Sequence, residues 1–107
     1  MTFEELLVKS RETMDKVNIL GLPFMAIQVN IIGKNGGVFY AKIEDGKYEI
    51  EPYEYKDRSC AISLEQHIFL KILSGELDPA ELYTTGKLKV DGDLAKAMEF
   101  SKLIKRK

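Results

Sequence analysis

Apolar residues in this chain recur with two periods, and each change of period marks an element. Phe3, Leu6, Leu7, Met14 and Val17 fall near one face of a 3.6-residue repeat, and Thr2 with Glu5 has the form of a capping box. A helix is therefore predicted over 2–16, with Leu22-Pro23 as its stop. From Phe24 to Ile32 the period becomes two, with Met25, Ile27, Val29 and Ile31 on one side and Ala26, Gln28 and Asn30 on the other. The polar parity is expected to face solvent. Asn35-Gly36 is a hairpin signal, and the return strand runs from about Val38 to Glu44, with Phe39, Ala41 and Ile43 sharing a face. Asp45-Gly46 repeats the signal before a third strand from Lys47 to about Tyr55, in which Pro52 cannot donate to a ladder and marks an edge or a bulge. After Lys56-Asp57-Arg58, Cys60, Ile62 and Leu64 alternate again, which reads as a meander of four antiparallel strands.

The helical period then returns. Ser63 and Gln66 resemble a second capping box, Leu64, Ile68, Phe69, Ile72 and Leu73 supply the buried stripe, and Gly75 suits the position after the helix. Asp78-Pro79 opens a short helix that stops at Gly86. The stretch YTTGKLKVDGD, residues 83–93, is not a phosphate loop, since Glu81 and Leu88 stand where a glycine and a hydroxyl are needed. Nor does it have the alternating oxygens and final glutamate of an EF-hand. It reads as a joint: Lys87 to Val90 extend as a fifth strand, Asp91-Gly92 turns, and Asp93 caps the next helix. Leu94, Ala97, Met98, Ser101 and Ile104 define the face of that helix, while Phe100 and Leu103 lie off the stripe. A lid and a homodimer contact explain the extra apolar circumference equally well. The fold class predicted is α+β: one domain, 1–107, with a five-stranded, mainly antiparallel sheet packed against about four helices.

Composition narrows the function. A hydrophobic content of 45% suffices for a real core, and 16 Lys plus Arg against 17 Asp plus Glu leave a formal charge of -1. Nucleic acid, which selects a clustered basic surface, is not an expected partner. Basic residues gather only at Lys102, Lys105, Arg106 and Lys107, where they suit a helix C-terminus. Attraction to anionic headgroups is the second reading of that cluster, and it limits membrane contact to a transient one at the surface. The single cysteine, Cys60, cannot form an internal disulfide, and the chain shows neither a signal peptide nor an apolar run of spanning length, so a cytoplasmic location is expected.

Candidate chemistry is thin. Cys60 and His67 invite a nucleophile and base, but one sits on a strand, the other on a following helix, and no third group orients them. Two such side chains do not make a zinc site. Glu49 and Glu51 share a strand face expected to be solvated, and Tyr48, Tyr53 and Tyr55 lack the interleaved cations of a base-stacking surface. Thr84 and Thr85 either end their helix or point a hydroxyl inward. No catalytic residue, metal or cofactor is expected.

The segment from Ser63 to Ile104 resembles the sterol carrier protein type 2 family of small lipid-binding domains. The carriers of the resemblance are Gly75-Glu76-Leu77-Asp78-Pro79, then Gly86-Lys87-Leu88-Lys89-Val90 with Gly92, then Ala97-Met98 in the last helix. The chain has Leu82, Tyr83 and Thr85 where many members have an Ala-Phe pair and a glutamine. The resemblance implies a five-stranded, largely antiparallel sheet against helices, with an apolar tunnel between them for sterols, fatty acyl chains or other lipids, and no enzyme chemistry. On that implication the lining is expected from Ile27, Val29, Ile31, Phe39, Ile43, Ile68, Ile72, Met98 and Phe100, with Tyr83 and Thr85 near the mouth. The alternative is a structural or assembly module that uses the same fold with a filled interior.

Overall fold

The structure is a computed structural model that describes residues 1–105. Helix α1 spans Phe3–Asp15, strand β1 Met25–Ile32, β2 Gly37–Glu44, β3 Lys47–Glu51, β4 Cys60–Glu65, helix α2 Gln66–Leu73, α3 Pro79–Thr84, strand β5 Lys89–Gly92 and helix α4 Leu94–Ile104. The strands form one sheet in the order β3-β2-β1-β4-β5. The predicted class is therefore the observed one, α+β with five strands and four helices. Of the basic cluster named above, Arg106 and Lys107 lie outside the described residues.

The meander is corrected at β4. Strands β1, β2 and β3 do form two antiparallel hairpins, but β4 lies beside β1 and runs parallel to it, Ile27 opposite Cys60 and Ile31 opposite Leu64. The register explains how so short a segment as 52–59 makes the crossover. Glu51 ends β3 opposite Tyr40, which is opposite Gln28, while β4 begins opposite Ile27. The chain therefore leaves β3 and enters β4 at almost the same height on the sheet. It has only to cross three strand spacings of about 4.8 Å each, with no return along the strands. Strand β3 accordingly stops at Glu51, just before Pro52, and does not reach Tyr55.

This crossover lies on the outer face of the sheet and changes the environment of the polar parity. The Tyr55 amide donates to Gln28 Oε1 at 3.3 Å, and the Tyr55 ring packs on that of Tyr40 with centroids 4.8 Å apart. Gln28 is consequently buried and Asn30 half-buried, against the expectation that both face solvent. Their amides are satisfied in a chain: Gln28 Nε2 donates to Asn30 Oδ1 at 3.1 Å and Asn30 Nδ2 to Ser63 Oγ at 3.2 Å. Ser63 is thus a strand residue of this network and not a cap. The N-cap of α2 is Glu65, which makes no side-chain cap bond.

The helix boundaries follow local chemistry elsewhere. Thr2 and Glu5 make the reciprocal capping box of α1, Asp78 accepts from the Ala80 amide, and Asp93 accepts from the Lys96 amide. Helices α2 and α3 both end in paired bonds of the Schellman type, Glu76 N to Lys71 O with Gly75 N to Ile72 O, and Lys87 N to Leu82 O with Gly86 N to Tyr83 O. The joint at 83–93 is shifted from its predicted form, because the strand runs Lys89–Gly92 and Gly92 pairs with Cys60 as its last residue. Asp91-Gly92 is therefore no separate turn.

The inner face of the sheet and the helices share one apolar core. Phe39 stands at its centre, edge-on to Phe69 of α2 at 5.9 Å and tilted against Phe3 of α1 at 6.2 Å. On α4 the buried residues are Ala97, Phe100, Ser101 and Ile104. Phe100, expected off the stripe, belongs to it, and Leu94, expected on it, is 40% exposed.

Candidate functional site

The interior between sheet and helices collects most of the residues expected to line a tunnel. Ile27, Val29 and Ile31 of β1, Phe39 and Ile43 of β2, Ile68 and Ile72 of α2 and Phe100 of α4 all belong to one buried cluster, and Met98 packs half-buried against it. They meet because strand residues of one parity and helix residues three or four apart each present a single apolar face. Tyr83 and Thr85 are not brought into this cluster. Both are exposed at the end of α3, and the Thr85 hydroxyl is occupied within its own helix, 3.0 Å from the Glu81 carbonyl. Thr84 makes the equivalent bond to Ala80 at 3.0 Å.

The interior has further walls that periodicity placed in the core without marking as lining. Leu6 and Met14 of α1, Ile62 and Leu64 of β4 and Phe69 of α2 are almost wholly shielded from solvent. Among the described residues one buried side-chain polar atom there lacks a partner. Ser101 is fully buried, and its Oγ has no hydrogen-bond partner in the protein. The only sequence signal was a serine at a core position of the final helix.

Open depressions lie elsewhere among the described residues. One, of about 450 Å³, runs between Leu20, Leu22, Pro23 and Phe24 and the β2–β3 turn at Glu44, Asp45 and Gly46. Another, of about 310 Å³, is bordered by the charged residues Lys42, Glu44, Asp45, Lys47 and Glu49 together with Tyr48.

The residues that invited chemistry are separated by environment. Cys60 is buried in the sheet, where desolvation, with help from the nearby Asp93 carboxylate, pushes its thiol up to about 11. His67 is on the surface with Nδ1 3.3 Å from Glu65 Oε2. Glu49 lies on the solvated strand face, where it accepts from the Tyr40 hydroxyl and sits 3.9 Å from Lys42 Nζ. The bond to Glu49 is the main cause that raises Tyr40 to about 12. Among the described residues no three of His, Cys, Asp and Glu are grouped to hold a metal ion, and no helix is long and apolar enough to cross a membrane.

Comparison with known proteins places this geometry. A model of the SCP-2 sterol transfer family matches residues 3–105. Sterol carrier protein 2 of Homo sapiens is 28% identical in a match covering 67% of this chain and 16% of that protein. Hydroxysteroid dehydrogenase-like protein 2 of Rattus norvegicus is 30% identical over 72% of this chain and 15% of that protein. The chain thus spans less than a fifth of these relatives. Among solved structures, palmitated SCP2L2 from Aedes aegypti superposes with a TM-score of 0.72 at 17% identity, covering 97% of this chain and 95% of that one.

Proposed function

This chain belongs to the SCP-2 sterol transfer family, and on that premise we propose that it binds and carries an apolar lipid, a sterol or a fatty acyl chain, between its sheet and its helices. The observation that carries this reading is the continuous apolar interior to which both layers contribute, Ile27, Val29, Phe39 and Ile43 facing Ile68, Ile72 and Phe100. The palmitated state of the Aedes aegypti neighbour supports an acyl chain as guest. The role is one of binding and transfer, with no chemical step, in the cytoplasm.

A closed interior is the state that energetics favours without a guest. An empty space of roughly 300 Å³ costs on the order of 7 kcal/mol at about 24 cal/mol per Å³, comparable with the whole stability of a small domain. The lipid enters as the helices move outward from the sheet. Each CH₂ buried from water then contributes roughly 0.8 kcal/mol, whereas the same group leaving a bilayer gains almost nothing. A carrier needs that asymmetry, since it holds the lipid against water yet releases it to a membrane. Ile27, Val29, Ile31, Phe39, Ile43, Ile68, Ile72, Met98 and Phe100 form the lining on this reading, with Tyr83 and Thr85 at the rim.

Native mass spectrometry of the purified chain, combined with lipid extraction, tests the proposal. The expected result is a 1:1 complex with a co-purifying lipid, or one that forms with added palmitate. A chain that stays empty under both conditions is a packing module, and the carrier reading falls.

A further inference from the structure

The helix side of the sheet carries a single buried side-chain polar atom without a hydrogen-bond partner among the described residues. Among the described residues the buried polar side chains are Ser10, Gln28 and Ser101, and no charged side chain is buried. Ser10 Oγ donates to the Leu6 carbonyl one turn back at 2.8 Å, and Gln28 is satisfied on the opposite face of the sheet by Tyr55 and Asn30. Ser101 differs from both. It is wholly enclosed on α4 between Ala97 and Ile104, and its hydroxyl makes no hydrogen bond in the protein. Helical hydroxyls elsewhere in the chain bond to the carbonyl four residues back, Thr13 to Lys9 at 2.8 Å and Thr84 to Ala80 at 3.0 Å, while Ser101 forgoes the Ala97 carbonyl. Leaving a buried hydroxyl unpaired is costly, and alanine at this position would avoid the cost with no loss of packing.

We propose that Ser101 is the interior anchor for the polar group of the bound lipid, and that it selects neutral lipids bearing a hydroxyl over those with an ionised headgroup. This rests on the lipid-binding reading above and narrows it. A serine hydroxyl offers one donor and two acceptor sites, so it pairs fully with an alcohol. It does not compensate a buried carboxylate, for which the described residues place no cation in the interior. A long-chain alcohol or a sterol therefore enters with its hydroxyl inward to Ser101. A fatty acid enters tail first and leaves its carboxylate at the surface.

The test measures partition of 1-hexadecanol, hexadecane and palmitate from phosphatidylcholine vesicles into wild type and Ser101→Ala, with thermal unfolding of each ligand-free protein alongside. Loss of one hydrogen bond should weaken hexadecanol about 5- to 10-fold and change hexadecane and palmitate by less than about 2-fold. The ligand-free variant should unfold at the same or a higher temperature, because an unpaired hydroxyl has gone. An unchanged hexadecanol affinity, or an equal loss for all three lipids, would show Ser101 to be a packing residue only. If wild type takes up none of the three, the lipid-binding reading itself fails; uptake of hexadecane and palmitate upholds that reading whatever Ser101 does. Ser101→Cys, close in volume and a weak donor, serves if the alanine variant does not fold, and should show the same selective loss.

Discussion

Tyr48 of β3 lies with its hydroxyl 2.5 Å from Asp15 Oδ1 at the end of α1, to which it donates. One turn earlier, Arg11 reaches over the same edge strand and donates to the Ile50 carbonyl from Nε at 3.2 Å and Nη2 at 2.7 Å. The first helix is thereby clasped to the sheet edge by polar contacts, and the outward carbonyl of an edge strand is occupied.

The two tyrosines of β2 and β3 should make stability fall in alkali. Donation to Asp15 raises Tyr48, and donation to Glu49 raises Tyr40 to about 12. A folded-state value above that of the unfolded chain, about 10, means the protonated form is favoured by folding. The contribution is fully present below pH about 10 and is lost as pH rises through the folded value, so the window for Tyr40 is roughly pH 10 to 12. Denaturant midpoints across this window should fall in wild type and fall less in Tyr40→Phe. A parallel decline in both proteins would refute the assignment.

Gln28→Ala should destabilise by about 1–3 kcal/mol, since it leaves the Tyr55 amide without an acceptor and Asn30 Oδ1 without a donor beneath the crossover. Urea unfolding monitored by circular dichroism measures it. A change within about 0.5 kcal/mol, ordinary for a solvent-facing strand residue, would mean that the crossover does not seal this face.

Gly92→Ala should cost roughly 1–3 kcal/mol, because Gly92 has φ +107°, and a Cβ there would come within 3.0 Å of the Cys60 Cα and the Ser59 carbonyl oxygen. The clash is with backbone, which cannot swing aside. Equal unfolding midpoints for variant and wild type would show that the β5–α4 joint relaxes freely.

Cys60, buried and with its thiol raised to about 11, should be almost inert to an aromatic disulfide reagent at pH 8 in the native state. In denaturant it should react completely, and the rate should rise with the unfolded fraction. Rapid native modification would place the thiol at the surface. A bound lipid should slow the reaction further, through the stabilisation that any native-state ligand confers.

Much of this protein was legible along the chain. The two apolar periods located α1, β1, β2, β4, α2 and α4, since each depends on residues within a few positions of one another, turn and capping residues marked β3, α3 and β5, and capping chemistry at Thr2, Asp78 and Asp93 set helix starts. The apolar faces of β1, β2 and α2 that meet in the interior followed from the same periods. Tertiary structure decided what depends on distant partners. The parallel pairing of β4 with β1 arises because β3 ends level with the start of β4, a register visible only in the assembled sheet. The burial of Gln28 follows from that crossover, and the turn of α4 that hides Phe100 and Ser101 while exposing Leu94 follows from its seat on the sheet. A period says which side chains share a face; only the packed neighbours settle which face is covered, and whether a buried hydroxyl such as that of Ser101 finds a partner.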